Sequence, residues 1–87
     1  MKYRSRTDII SQMLEAANGG ASKTKIMYTA YLSFAQLKEY LSMMIENDLL
    51  EYIEGERKYR TTEKGLKYLR AYDQMTHMTG TMREIAV

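Results

Sequence analysis

Eighty-seven residues, 45% of them apolar, make a single small domain with about one helix to spare, and the net charge of +2 implies little by itself. With no cysteine, the chain has no disulfide, no thiol nucleophile and no cysteine-ligated metal, which fits a reducing interior. The basic start "MKYRSR" lacks the apolar run of a signal peptide, and the longest uncharged run, residues 26–37, falls short of the roughly 17–25 residues of a membrane span.

Charge is segregated along the chain. Residues 1–45 carry six bases against three acids, residues 46–56 carry five acids and no base, and residues 57–70 carry six bases and one acid. Such blocks can build a basic surface on a nearly neutral protein, or simply solvate it.

Ile9, Ile10, Met13, Leu14 and Ala17 recur at helical spacing, so a first helix is predicted with Ser5 as N-cap and Asp8 near its start. "NGG" at 18–20 ends it. Ser22 opens a short second helix, "KTKIMYTA", with Ile26 as its core residue. A third helix follows a break near Tyr31: Ser33 and Gln36 form a capping box, and Leu32 and Leu37 a hydrophobic staple. Its core face is read as Phe34, Leu37, Leu41, Met44 and Ile45. The opposite face carries Ser33, Ala35, Gln36, Glu39, Tyr40 and Met43, and the last two are larger and more apolar than solvation requires. Two helices joined by a short turn make a helix-turn-helix candidate.

"EYIEGERKYRTTEKG" reads as a hairpin. A two-residue turn at Gly55-Glu56 pairs Glu54 with Arg57, Ile53 with Lys58, Tyr52 with Tyr59, Glu51 with Arg60 and Leu50 with Thr61. Alternation sends Leu50, Tyr52, Tyr59 and Thr61 to the core, and Glu51, Ile53, Lys58 and Arg60 outward. Thr62 caps a fourth helix whose Leu66 and Leu69 return to the core. Beside them Tyr68, Ala71, Met75, Met78, Met82 and Ile85 repeat at heptad spacing, a second apolar stripe that suits a second copy of the chain. Gly80 and threonines 76, 79 and 81 weaken that helix and leave open whether it continues past Gly80.

Helix, helix, turn, helix, hairpin is the order of a winged helix-turn-helix. The fold expected is mainly α with a small β-hairpin, with residues 1–61 as the winged domain and 62–87 as a longer C-terminal helix, partly packed on the domain and partly a dimer seam. Through "RSRTDI", "KTKIMYTAYLSFAQLKEYL", "NDLLEY" and "YRTTEKGLKYL", the chain resembles a family of small archaeal winged-helix DNA-binding proteins of about ten kilodaltons. That resemblance implies binding to double-stranded DNA and a homodimer formed through an antiparallel coiled coil of C-terminal helices. It implies that the third helix enters the major groove with Ser33, Gln36, Glu39 and Tyr40 at base edges. Gln36 would bond an adenine edge bidentately; Glu39 would accept from cytosine or act only as a solubilising charge. Phosphate contacts would come from Ser22, Lys23 and Lys25, with Lys38, Arg4 and Arg6 as further candidates. Arg57, Lys58 and Arg60 would serve on the wing, and Lys58 is the wing residue left without an acidic partner.

A transcription regulator or nucleoid-associated protein in the cytoplasm is the reading these residues favour. A winged helix used for protein–protein contact is the alternative, supported by the Tyr/Met surface and the acidic segment. No enzyme activity, cofactor, metal or small-molecule ligand is expected: His77, the single histidine, has no metal-ligand partner near it in sequence, and no phosphate-cradling glycine motif is present.

Overall fold

Each helix begins at a hydroxyl. Ser5, Ser22 and Ser33 hold extended backbone angles and accept the N–H three residues on, opening α1 (Arg6–Ala17), α2 (Lys23–Thr29) and α3 (Phe34–Glu46). α4 (Glu63–Ala86) starts similarly, with the Gly65 N–H donating to Thr62 Oγ1 at 3.0 Å. Ser5 with Asp8 and Ser33 with Gln36 are complete capping boxes. The structure is a computed structural model that describes the backbone of residues 4–86 and the side chains of residues 4–78.

Between α3 and α4, β1 (Leu50–Ile53) and β2 (Lys58–Thr61) pair antiparallel in the expected register, from Leu50↔Thr61 to Ile53↔Lys58. The turn differs from the expected one. The Glu56 N–H donates to Ile53 O, with Gly55 (φ 89°) as the third residue of that turn, and Arg57 (φ 53°) then redirects the chain into β2. Residues 54–57 thus form a four-residue loop, a type that needs a left-handed residue to bring the strands back into line. Glu54 and Arg57 consequently leave the ladder and form no ion pair, whereas Arg60 holds Glu51 at 3.1 Å.

A third extended segment joins the hairpin. Ala21 and Tyr59 exchange both backbone hydrogen bonds, each 2.8 Å, and so tie the residues before α2 to β2. The left-handed Gly19 and Gly20 lead the chain out of α1 into this bridge. At the helix-turn-helix corner, Tyr31 is left-handed (φ 55°), and the Arg4 guanidinium donates to the carbonyls of Ala30 and Tyr31 and to Gln12 Oε1. Arg4 is therefore committed to that corner instead of to a phosphate.

Met13, Leu14, Ile26, Leu37, Met44 and Leu50 are fully buried and form the centre of the core. Leu32 and Leu37 are both buried in this core, which is consistent with a staple. Three residues assigned to the core from spacing are not buried: Phe34, Ile45 and Tyr52 are 58%, 39% and 43% exposed. Phe34 and Ile45 sit in the first and last turns of α3, beyond the reach of the central contacts. Tyr52 lies directly across from Tyr59 but on β1, the strand that Ala21 does not bridge. Tyr40 departs in the opposite sense: it is buried, with the Arg6 guanidinium 5.4 Å above its ring, and is not available to base edges.

α4 packs on α1 and β2 and stays helical to Ala86, past Gly80. Leu69 is buried and Leu66 half-buried, and Tyr72 donates its hydroxyl to Asp8, the acid that also caps α1. The close approach rests on Gly65, where a Cβ would lie 2.4 Å from the Leu49 carbonyl oxygen and 2.7 Å from Thr61 Cγ2. That carbonyl accepts the Thr62 N–H at 3.1 Å, and Thr62 Oγ1 donates to Asp48 O, so the backbone there cannot retreat without losing bonds. Gly65→Ala is expected to destabilise the fold by about 1–3 kcal/mol despite its better helix propensity, read as a lower midpoint in urea unfolding. An unchanged or raised midpoint would show that this contact relaxes freely.

Candidate nucleic-acid interface

The outward face of the third helix begins with Phe34. As the first residue after the Ser33 cap it has no preceding turn to lean on, so its ring projects beyond the helix end. Lys38, one turn on, brings Nζ to 5.8 Å from the ring centroid, and Lys23 of α2 brings Nζ to 6.0 Å. Both lie at the outer limit of cation–π attraction, worth about 0.5–1 kcal/mol each at exposed sites.

Lys23 also faces the hairpin. With Tyr52, Arg57 and Tyr59 it lines a hollow of about 250 Å³ between the start of α2 and the wing. The two tyrosine rings form one wall, with centroids 5.0 Å apart and planes inclined by 57°. The Ala21–Tyr59 bridge sets this neighbourhood, because Ala21 lies two residues before Lys23 and pairs with the strand that carries Tyr59. Arg57 reaches the hollow from its left-handed position, a backbone state that costs a non-glycine residue about 1 kcal/mol or more and is held by its surroundings. The result is one continuous ridge of alternating cations and aromatic rings: Lys38, Phe34, Lys23, then Arg57 with Tyr52 and Tyr59.

The other sequence-assigned residues fall around this ridge in different ways. Ser22 and Ser33 are exposed helix caps whose hydroxyls accept the N–H groups of Lys25 and Gln36. Lys25 and Glu39 are exposed. Gln36 is exposed, but its carboxamide oxygen accepts the Ser33 N–H at 2.9 Å, so a bidentate adenine contact would first have to open the capping box. Lys58 and Arg60 lie across the hairpin from Tyr52 and Tyr59. Arg60 is held by Glu51, and the Lys58 stem passes over Gly20, with Cδ 3.8 Å from where a Cβ would stand. Arg57 thus joins the ridge, while Lys58 does not. Glu54 and Glu56 precede Arg57 in the loop and limit how basic the wing tip can be.

Phe34, Tyr52 and Tyr59 were absent from the sequence-based site because apolar spacing assigned all three to the core. A signal for Phe34 was available: Leu32 and Leu37 already complete the staple, and Lys38 stands four residues after Phe34, the spacing of a side-chain pair on a helix surface. Tyr28 and Tyr31, 70% and 82% exposed, flank the corner between α2 and α3.

On α4, Tyr68 is half-buried against the core, Ala71 is exposed, and Met75 and Met78 are 60% and 76% exposed. The side chains of Met82 and Ile85 lie outside the described residues. His77 is exposed beside Asp73, Gln74 and Met78. Among the described residues no cluster of His, Cys, Asp or Glu is placed to hold a metal ion, and no helix is long and apolar enough to cross a membrane.

Three helices, a corner between the second and third, a β-hairpin wing bridged back to the second helix and a long final helix define a winged helix-turn-helix protein. The chain belongs to that family, whose profile matches residues 3–80. Its fold is similar to that of Sso10a-2, a DNA-binding protein from Sulfolobus solfataricus, with a TM-score of 0.84 at 20% sequence identity over 95% of this chain and 90% of that one. No curated protein sequence matches the chain.

Burial in the hollow, and behind it the neighbouring Tyr52, pushes the Tyr59 phenol above the ordinary tyrosine value. The folded state therefore favours the protonated phenol. Its contribution to stability is fully present below the unfolded value, near pH 10, and is lost as pH rises through the higher folded value. Tyr59→Phe should differ from the parent by a constant increment in urea unfolding up to about pH 10 and gain on it above that pH. Parallel alkaline curves for the two proteins would contradict the burial of this phenol.

Proposed function

We propose that the protein binds double-stranded DNA as a homodimer, with α3 entering the major groove and the hairpin serving as the wing, in the role of a transcription regulator or nucleoid-associated protein. The observation that carries this reading is the ridge from Lys38 through Phe34 and Lys23 to Arg57. It spans from the reading helix to the wing, and it alternates point charges suited to phosphates with flat apolar surface suited to the groove. The winged helix-turn-helix family, and a neighbour in fold that is itself a DNA-binding protein, support the same reading. Residues 1–61 then act as the binding domain and 62–87 as the dimerisation arm.

Lys23, Lys38 and Arg57 on each of two subunits would neutralise about six phosphates, so log K should fall with log salt at a slope of about −5. Lys23→Glu with Arg57→Glu should lower affinity for duplex DNA at least tenfold and flatten that slope. Lys58→Glu, on the other face of the wing, should do so much less. A binding constant indifferent to salt, or equal losses from both changes, would overturn this use of the ridge. An absence of DNA binding would favour the protein-contact reading, to which the exposed Tyr28 and Tyr31 at the corner would then belong.

Dimerisation is assigned to the stripe of Tyr68, Ala71, Met75, Met78, Met82 and Ile85. Exposed methionines at heptad spacing on a helix already packed on its own domain through Leu69 support a second partner for that helix. Met75→Lys with Met78→Lys should convert a dimer into a monomer in sedimentation equilibrium without loss of helical signal. A parent that sediments as a monomer, or a variant that stays dimeric, would rule the seam out.

A further inference from the structure

The outward face of α3 offers few polar groups for reading bases. Ser33 Oγ and Gln36 Oε1 accept each other's backbone N–H groups, which leaves these two side chains mainly as donors held in the cap, and Tyr40 is buried. Glu39 is an anion, unfavourable beside phosphates except where a cytosine amino group meets it. What stands out instead is apolar: the Phe34 ring, 58% exposed, with the exposed Ala35 methyl next to it. Two ammonium groups, 5.8 and 6.0 Å from the ring centre, border it. A ring bordered in this way is drawn to the groove by its own cations, which can engage phosphates while the ring faces the base edges.

In the major groove a single kind of base group is apolar, the C5-methyl of thymine. Resting on the DNA-binding reading above, we infer that Phe34, assisted by Ala35, is the specificity-determining residue and reads C5-methyl groups, so that the protein prefers thymine-bearing sites. Lys23 and Lys38 border the ring and supply affinity without sequence preference. Removing one methyl-sized contact should weaken binding about fourfold, the equivalent of burying one methylene.

The test compares an alternating adenine–thymine duplex with the same duplex carrying uracil for thymine, which deletes only the methyl groups. A guanine–cytosine duplex is compared with its 5-methylcytosine counterpart, which adds a methyl at the same groove position. The parent should bind each methyl-bearing duplex about fourfold or more tightly than its methyl-free partner. Phe34→Ala should bind both members of each pair alike, at close to the parent's affinity for the methyl-free one, with an unfolding midpoint near the parent's because the ring is exposed. Phe34→Leu, still apolar, should keep part of the discrimination. Lys23→Glu with Arg57→Glu should weaken every duplex equally and preserve the ratio. A parent that binds all four duplexes with normal salt dependence but no methyl preference overturns this inference and leaves the DNA-binding reading standing. Discrimination that survives Phe34→Ala overturns the assignment to this residue, and a protein that binds none of the duplexes overturns both.

Discussion

Two backbone hydrogen bonds between Ala21 and Tyr59 are the joint on which the arrangement of the candidate interface depends. The hairpin of four-residue strands would be marginal as a free ribbon. The bridge makes it the edge of a three-segment sheet and fixes it to the start of α2. Because the link runs through backbone atoms, it constrains position with no demand on the side chains involved. Tyr59 is then free to wall the hollow below the wing, and Lys23 is brought between that hollow and the ring of Phe34. Loss of the joint would leave the cations in place on their own elements but no longer in one line.

The far side of the hairpin is held by a different device. The Leu49 carbonyl, the Thr62 N–H and the Gly65 Cα meet so closely that no side chain fits, and Thr61 Oγ1 donates to the Leu14 carbonyl at 2.7 Å inside the core. α4 therefore leaves the domain along a direction set by backbone contact as well as by apolar packing. Asp8 adds a polar tie, since one carboxylate both closes the cap of α1 and accepts the Tyr72 hydroxyl. The first and last helices are fixed to each other through that side chain, while α3 packs on β1.

Local chemistry was legible in the sequence. The serine caps, the Ser33–Gln36 capping box, the register of the strands and the Thr62 start of α4 all depend on residues within a few positions of one another or on one alternating pattern, and each is found. What was not legible depends on distant partners. A bridge one residue long at Ala21 leaves no periodic trace. Gly65 carried a weak signal, an isolated glycine inside a helical pattern, which marks close approach but not what is approached. The loop of the hairpin was misread because Gly55 satisfies a left-handed position in more than one turn, and the choice rested on Arg57 also turning left-handed. Phe34 and Tyr40 exchanged their expected places for one reason: spacing marks a helix face, while depth depends on how far along the helix its neighbours extend.

The methionine stripe on α4 has a chemical consequence apart from packing. In a chain without cysteine, oxidants that reach the protein act mainly on thioethers, and accessibility ranks them. Met13 and Met44 are sealed in the core, whereas Met75 and Met78 stand open on the helix surface. Sulfoxide formation there would set a polar, hydrogen-bonding oxygen into the apolar line of that helix while sparing the folded centre. Among the described residues, the stripe proposed as the dimer contact thus also carries the most exposed thioethers.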